Sequence, residues 1–182
     1  MKPRLRGAAV LAAAAAVLVF CLARPPVWGA ARAESLWAWR EEPVELVVLM
    51  YHPVDSSSKR SDRYTITPGE LRQDLEYLQE EGYSTVVMAD VIGYVADGTP
   101  LPPKPVMLTF DDGFYNNYLN VFPLLEEFHM KAVISIIGEE SDRFSLIEEN
   151  SEKYASLTWH QIQEMRDSGL VEFENHSYAL HR

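Results

Sequence analysis

Val106-Met107-Leu108-Thr109-Phe110-Asp111-Asp112-Gly113 is the stretch on which the fold turns. Uncharged residues rich in strand formers run directly into two carboxylates and a glycine. A short apolar run bounded in this way reads as a buried parallel strand. Barrels and open α/β sheets place their chemistry at the C-terminal ends of such strands. Successive side chains on an ideal strand point to opposite faces. Asp111 and Asp112 can therefore share a pocket only if the chain has already left the strand for a turn, which Gly113 makes easy. Taken alone, the same residues also read as a solvated Asp-Gly turn.

The rest of the chain repeats the pattern. Residues 44–50 (VELVVLM) are almost continuously apolar, which predicts a first strand buried on both faces. It closes on Tyr51-His52-Pro53, where His52 by itself reads as a core or rim histidine. Asp55 to Arg63 is a polar loop. Thr67-Pro68-Gly69-Glu70 forms a capping box with proline at the first helical position. Leu71, Leu75 and Leu78 then make one apolar stripe, and Gly82 ends the helix. A second strand is expected over 84–88 (STVVM), a short helix over 90–96 and an irregular connection from Gly98 to Pro105. After the Asp-Asp-Gly stretch a helix runs to about Phe128, with Pro123 predicting a kink or late start. A fourth strand is expected over 131–137 (KAVISII). The acidic segment from Glu139 to Ala155 reads as an insertion or flap. Thr158-Trp159-His160-Gln161 is a second capping box, opening a helix that Gly169 stops. His160 and His129 read as surface residues. Leu170 to Glu174 is a fifth strand, leading into Asn175-His176-Ser177-Tyr178-Ala179-Leu180-His181. Strands alternating with helices imply a parallel sheet with right-handed crossovers.

The chain has 182 residues, enough for one domain with a core. Residues 1–33 read as a secretory signal: Lys2, Arg4 and Arg6, then an uncharged Ala-, Val- and Leu-rich run over 7–23, then Ala31-Arg32-Ala33 as a cleavage pattern. An uncleaved anchor is the alternative, and it would be the only tie to a membrane. Residues 34–43 form a linker and 44–182 the folded domain. Cleavage leaves eleven basic against 27 acidic residues, a net charge of −16 that opposes nucleic acid and anionic lipid. The sole cysteine, Cys21, leaves with the leader, so any metal site must use histidine and carboxylate.

His176 and His181 lie five apart, about 140° from each other on a helix. Fully extended, they would be about 17 Å apart. Ligands of one ion sit within a few ångströms of each other, so the segment must bend back if both are to bind it. Otherwise they are two unrelated surface histidines.

Thr109-Phe110-Asp111-Asp112-Gly113 followed by His176-Ser177-x-x-x-His181 resembles the first two motifs of the polysaccharide deacetylases, the NodB-homology or carbohydrate esterase 4 family. The Met50-Tyr51-His52 strand end and the Leu157-Thr158-Trp159 helix start are similar to those of secreted members. The resemblance covers residues 44–181. It implies a partial, distorted (β/α) barrel. It implies Asp112, His176 and His181 as ligands of one divalent metal, zinc or an ion such as cobalt, and Asp111 as general base. Ser177 would orient the ligand loop, and His52 and Tyr115 would be substrate contacts. The expected activity is hydrolysis of N-acetyl, or alternatively O-acetyl, groups on an extracellular or cell-wall polysaccharide. Peptidoglycan, a chitin-like polymer, poly-N-acetylglucosamine and acetylxylan all remain open as substrates, for a secreted or envelope-associated enzyme. The family's later motifs, including a histidine that acts as acid, do not occur before Arg182. Five parallel strands cannot close a barrel either. The expectation is therefore an N-terminal portion, inactive as written. A glycoside hydrolase and a non-catalytic carbohydrate-binding relative are the rival readings.

Overall fold

The computed structural model describes residues 44–56, 64–147 and 149–180. The signal and linker segments and His181 lie outside the described residues.

The strands are β1 (Val47–Tyr51), β2 (Ser84–Thr85), β3 (Pro105–Phe110), β4 (Ala132–Ile137) and β5 (Val171–Ser177). All their pairings are parallel, in the order β1-β3-β4-β5, with β2 joined to the start of β3. The helices are α1 (Pro68–Glu80), α2 (Met88–Asp97), α3 (Phe122–Phe128), α4 (Gly138–Ile147) and α5 (Trp159–Asp167). This is the parallel α/β architecture expected of a partial barrel.

Local chemistry sets the helix boundaries. Thr67 Oγ1 accepts from Glu70 N–H at 3.2 Å, and the Glu70 carboxylate accepts from Thr67 N–H at 2.9 Å. Thr158 and Gln161 repeat that reciprocal cap at the start of α5, so orphan N–H groups at both helix starts are satisfied. Before α3, residues 117–121 form a π-helical turn in which Phe122 N–H bonds to Asn117 O. Pro123 has no N–H to donate, and its ring crowds the carbonyl four residues earlier. The kink foreseen from Pro123 is therefore taken up by widening the preceding turn.

One face of the sheet carries the main core. Val106, Leu108 and Phe110 of β3 and Ala132, Ile134 and Ile136 of β4 pack with Leu71, Leu75 and Leu78 of α1 and with Ile162 and Met165 of α5. The opposite face holds a smaller cluster of Val86, Val87, Met107 and Val133.

Three expectations need correction. β1 is not buried on both faces: Val47, Leu49 and Tyr51 face the core, while Val48 and Met50 are 53% and 62% exposed. No described element covers that side of the strand, so its apolar content does not translate into burial. The second strand stops at Thr85, because Val87 already forms the N-terminal boundary of α2, its N–H held by the Asp90 carboxylate at 3.0 Å. The supposed flap begins as α4, which continues directly from β4 and buries Phe144. Its acidic first turn, Glu139 and Glu140, suits the positive end of the helix dipole.

Leu75 is fully buried between α1 and the sheet. Leu75→Ala should lower the unfolding free energy by about 2–5 kcal/mol, and Thr67→Ala by about 1 kcal/mol. Urea denaturation measures both; a Leu75→Ala loss no larger than the cap's would contradict this core assignment.

Candidate metal centre

β3 ends at Phe110, and the chain turns at once. Asp112 and Gly113 both adopt left-handed φ, 69° and 66°. Asp tolerates this conformation better than most residues. The strand has thus broken before its second carboxylate, which is the condition for both aspartates to serve one site.

The turn crosses the end of β4. A Cβ on Gly113 would lie 2.8 Å from Ile136 Cγ2 and 3.2 Å from the Ile136 Cα. Glycine is therefore required there twice, by φ and by space. On the far side of β4, the pairing with β5 runs in register from Ala132↔Val171 to Ile136↔Asn175, then skips to Ile137↔Ser177. His176 is the extra residue of this bulge. Bulges re-aim side chains and are frequent beside active sites. The two irregularities meet: Asp112 Oδ1 lies 3.5 Å from His176 Nε2.

The side chains of His176 and Asp112 are 30% and 21% exposed. As a mere ion pair at a partly solvated rim they would contribute about 0–1 kcal/mol. As ligand atoms their spacing is informative. Two donors on a tetrahedral ion with bonds near 2.1 Å sit roughly 3.4 Å apart, so an N/O pair at 3.5 Å fits one ion between them. Among the described residues no group of three His, Cys, Asp or Glu forms a metal cluster. The third ligand implied by the family resemblance, His181, lies outside them.

Asp111 leaves the end of β3 beside β1, its N–H donating to Tyr51 O at 3.0 Å. Tyr51 pairs with Phe110, so His52 and Asp111 are the next residues along neighbouring strands. The His52 ring lies 5.3 Å from that of Tyr64. Tyr115 is half-buried and stacks on Tyr118 at 6.3 Å. Strand ends thus bring His52, Asp111, Asp112 and His176 to one end of the sheet. An open cleft of about 360 Å³ lies elsewhere, lined by Ser145, Asn150, Thr158, Trp159, His160 and Gln161.

Backbone bonds and a set of side chains not singled out in the sequence hold the turn in place. Leu157 N–H donates to Gly113 O at 2.9 Å, and Tyr115 N–H to Ala155 O at 2.8 Å. Glu152 accepts from Ser56 N–H and Oγ at 2.7 Å each and from Asn120 Nδ2 at 2.6 Å. Asn116 Nδ2 donates to Glu152 O, and its Oδ1 accepts from Val54 N–H. Burial would raise the Glu152 pKa, but the bonds from Ser56 and Asn120 outweigh it and hold the carboxyl below its ordinary range. The partners in this clamp come from distant segments, so no local pattern marks it.

The family model described as polysaccharide deacetylase matches residues 98–182. The chain is thus similar to the polysaccharide deacetylases in both sequence and fold. It is 32% identical over 154 residues to the poly-beta-1,6-N-acetyl-D-glucosamine N-deacetylase of Escherichia coli strain K12, covering 81% of this chain and 23% of that relative. Among solved structures it matches a de-N-acetylase from Aggregatibacter actinomycetemcomitans with TM-score 0.66 and 28% identity, over 75% of this chain and 56% of that one. It also matches IcaB from Ammonifex degensii, with TM-score 0.63 and 34% identity, over 77% of this chain and 56% of that one. The chain thus spans under a quarter of the curated relative and just over half of each solved chain. The relatives named as N-deacetylases are hydrolases acting on carbon–nitrogen bonds.

Gly113→Ala should cost about 1–2 kcal/mol for the left-handed φ and a further ~1–3 kcal/mol for crowding Ile136. A denaturation midpoint equal to wild type would refute the required close approach. Because the folded-state pKa of Glu152 is depressed, its contribution is present above the ordinary carboxylate range and lost as pH falls through the lower, folded value. The stability gap between wild type and Glu152→Gln should therefore narrow on acidification, as thermal melts at pH 7 and about pH 3 would show. A gap independent of pH would remove the charge from this clamp.

Proposed function

We propose that the protein is a secreted or envelope-associated, metal-dependent deacetylase that removes N-acetyl groups from a polymer of amino sugars. Poly-β-1,6-N-acetyl-D-glucosamine is the substrate named for the E. coli relative and is the first polymer to test. The observation that carries the reading is the 3.5 Å approach of Asp112 to His176 across the end of β4, with Asp111 next in the chain.

Amide hydrolysis at neutral pH needs an activated water and a polarised carbonyl. A divalent ion such as zinc, when bound, would supply both as a Lewis acid. Asp112 and His176 would hold it with one carboxylate and one neutral imidazole, and His181 would complete the set. Three protein ligands leave room for water and for the acetyl oxygen. Asp111, on the same turn but not a ligand, would take the proton of the attacking water. His52, at the neighbouring strand end, would border the sugar, and Tyr115 would stand behind the turn as a second substrate contact. A glycosidase would need two acids about 5–10 Å apart across the bond it cleaves. Here the two acids share one turn, and the facing strand end brings an imidazole.

In the full-length protein, Asp111→Asn should reduce acetate release from poly-β-1,6-N-acetyl-D-glucosamine oligomers by at least ~100-fold while zinc stays bound. Unchanged turnover would remove Asp111 from the base role. His181→Ala should weaken zinc binding sharply in a chelator competition; full retention would exclude it as a ligand. Turnover that survives exhaustive chelation would overturn the metal dependence.

A further inference from the structure

The turn that follows β5 is fastened to α4 through the backbone and the hydroxyl of Tyr178, and the hydroxyl's partner is a carboxylate that the start of α5 shares. Glu139 N–H, in the first turn of α4, donates to Tyr178 O at 2.9 Å. The Tyr178 ring lies against Gly138, where a Cβ would come within 3.0 Å of Cδ2. Tyr178 OH then donates to Asp142 Oδ2 at 3.1 Å. The other oxygen of the same carboxylate accepts from Trp159 Nε1 at 2.8 Å, and Trp159 N–H donates to Ser145 Oγ at 2.9 Å. Asp142 therefore ties the residues after β5 and the start of α5 to a single helix.

These bonds are not a by-product of core packing. Tyr178 and Trp159 are 61% and 45% exposed, so burial does little to order their rings. Ser177, by contrast, is buried, and its Oγ accepts the Leu180 N–H at 3.4 Å, closing the turn from inside. One polar contact thus shapes the turn from within, while the Glu139–Tyr178 backbone bond and the Tyr178–Asp142 pair hold it from without.

We propose that Asp142 is a positioning residue which, through Tyr178, fixes the turn carrying the second histidine ligand. The inference rests on the metal reading given above. It adds a residue on α4, outside the proposed ligand set. An unfastened turn would have to be ordered when the ion binds, at a cost to its affinity. Partners that orient a ligand indirectly are typically worth about 10- to 100-fold in metal affinity.

The test uses the full-length protein carrying Asp142→Ala, Tyr178→Phe or both. Two quantities are read: amide hydrogen exchange over residues 176–182 in metal-free protein, and zinc affinity by competition with a chromophoric chelator. Either single variant should speed exchange in that segment, leave the β3 and β4 amides unchanged, and weaken zinc about 10- to 100-fold. The double variant should be no worse than the more severe single one, because the two residues act through one bond. Unchanged exchange in Asp142→Ala would overturn the proposal. So would a loss in Asp142→Ala that Tyr178→Phe does not share, since the effect would then run through Trp159 and α5. If Asp142→Ala does not fold, Tyr178→Phe, which removes a single oxygen, decides alone. A wild-type protein that binds no zinc would refute the metal reading itself, and exchange in the metal-free segment would then decide the role of Asp142.

Discussion

The contact between Gly113 and Ile136 is the constraint from which the site follows. β3 and β5 are not neighbours; β4 lies between them. A carboxylate leaving β3 can meet an imidazole leaving β5 only by passing over the end of β4. The passage is so shallow that the backbone of Gly113 rests on the Ile136 side chain with no room for a Cβ. Ile136 is therefore both a core residue under the helices and the floor of the crossing. Packing density in the sheet and the Asp112–His176 spacing above it are set by the same atoms, and close-packed interiors transmit such shifts rather than absorb them.

What the sequence showed well were features decided within a few residues. The caps at Thr67 and Thr158, the apolar stripe on α1 and the break after Phe110 each depend on local bonding or periodicity, and each is present. The features that escaped depend on partners far along the chain. VELVVLM looks buried on both faces, but whether Val48 and Met50 are covered depends on what packs against them. The acidic segment after β4 lacks a strong apolar stripe, so its helix was hidden behind its charge. Glu152 and Asp142 could not be singled out at all. Each is an ordinary surface acid until Ser56 and Asn120, or Tyr178 and Trp159, are brought to it by the fold.

The candidate site was legible for a different reason. Its residues sit at strand ends, and strand ends are readable from composition, so Asp111, Asp112 and His176 could be placed at one end of the sheet before any coordinate. Their mutual distance could not. It depends on the left-handed turn and on the skip in the β4–β5 pairing, and neither leaves a pattern in hydrophobicity. The surrounding clamps work on the same scale. Polar side chains anchor the segments that follow Asp112 and His176, while those two side chains stay partly open to solvent.

The skip at His176 has a consequence for how this domain can change. Below it, five successive residue pairs of β4 and β5 keep strict register, and the irregularity is confined to a single position at the rim. A residue gained or lost beyond that point alters the length of the turn after His176 without sliding the strand beneath it. The sheet is thus insulated from its own loops. Chemistry at the rim can be retuned by small insertions, while the hydrophobic pattern that holds the sheet together goes on reading in the same frame.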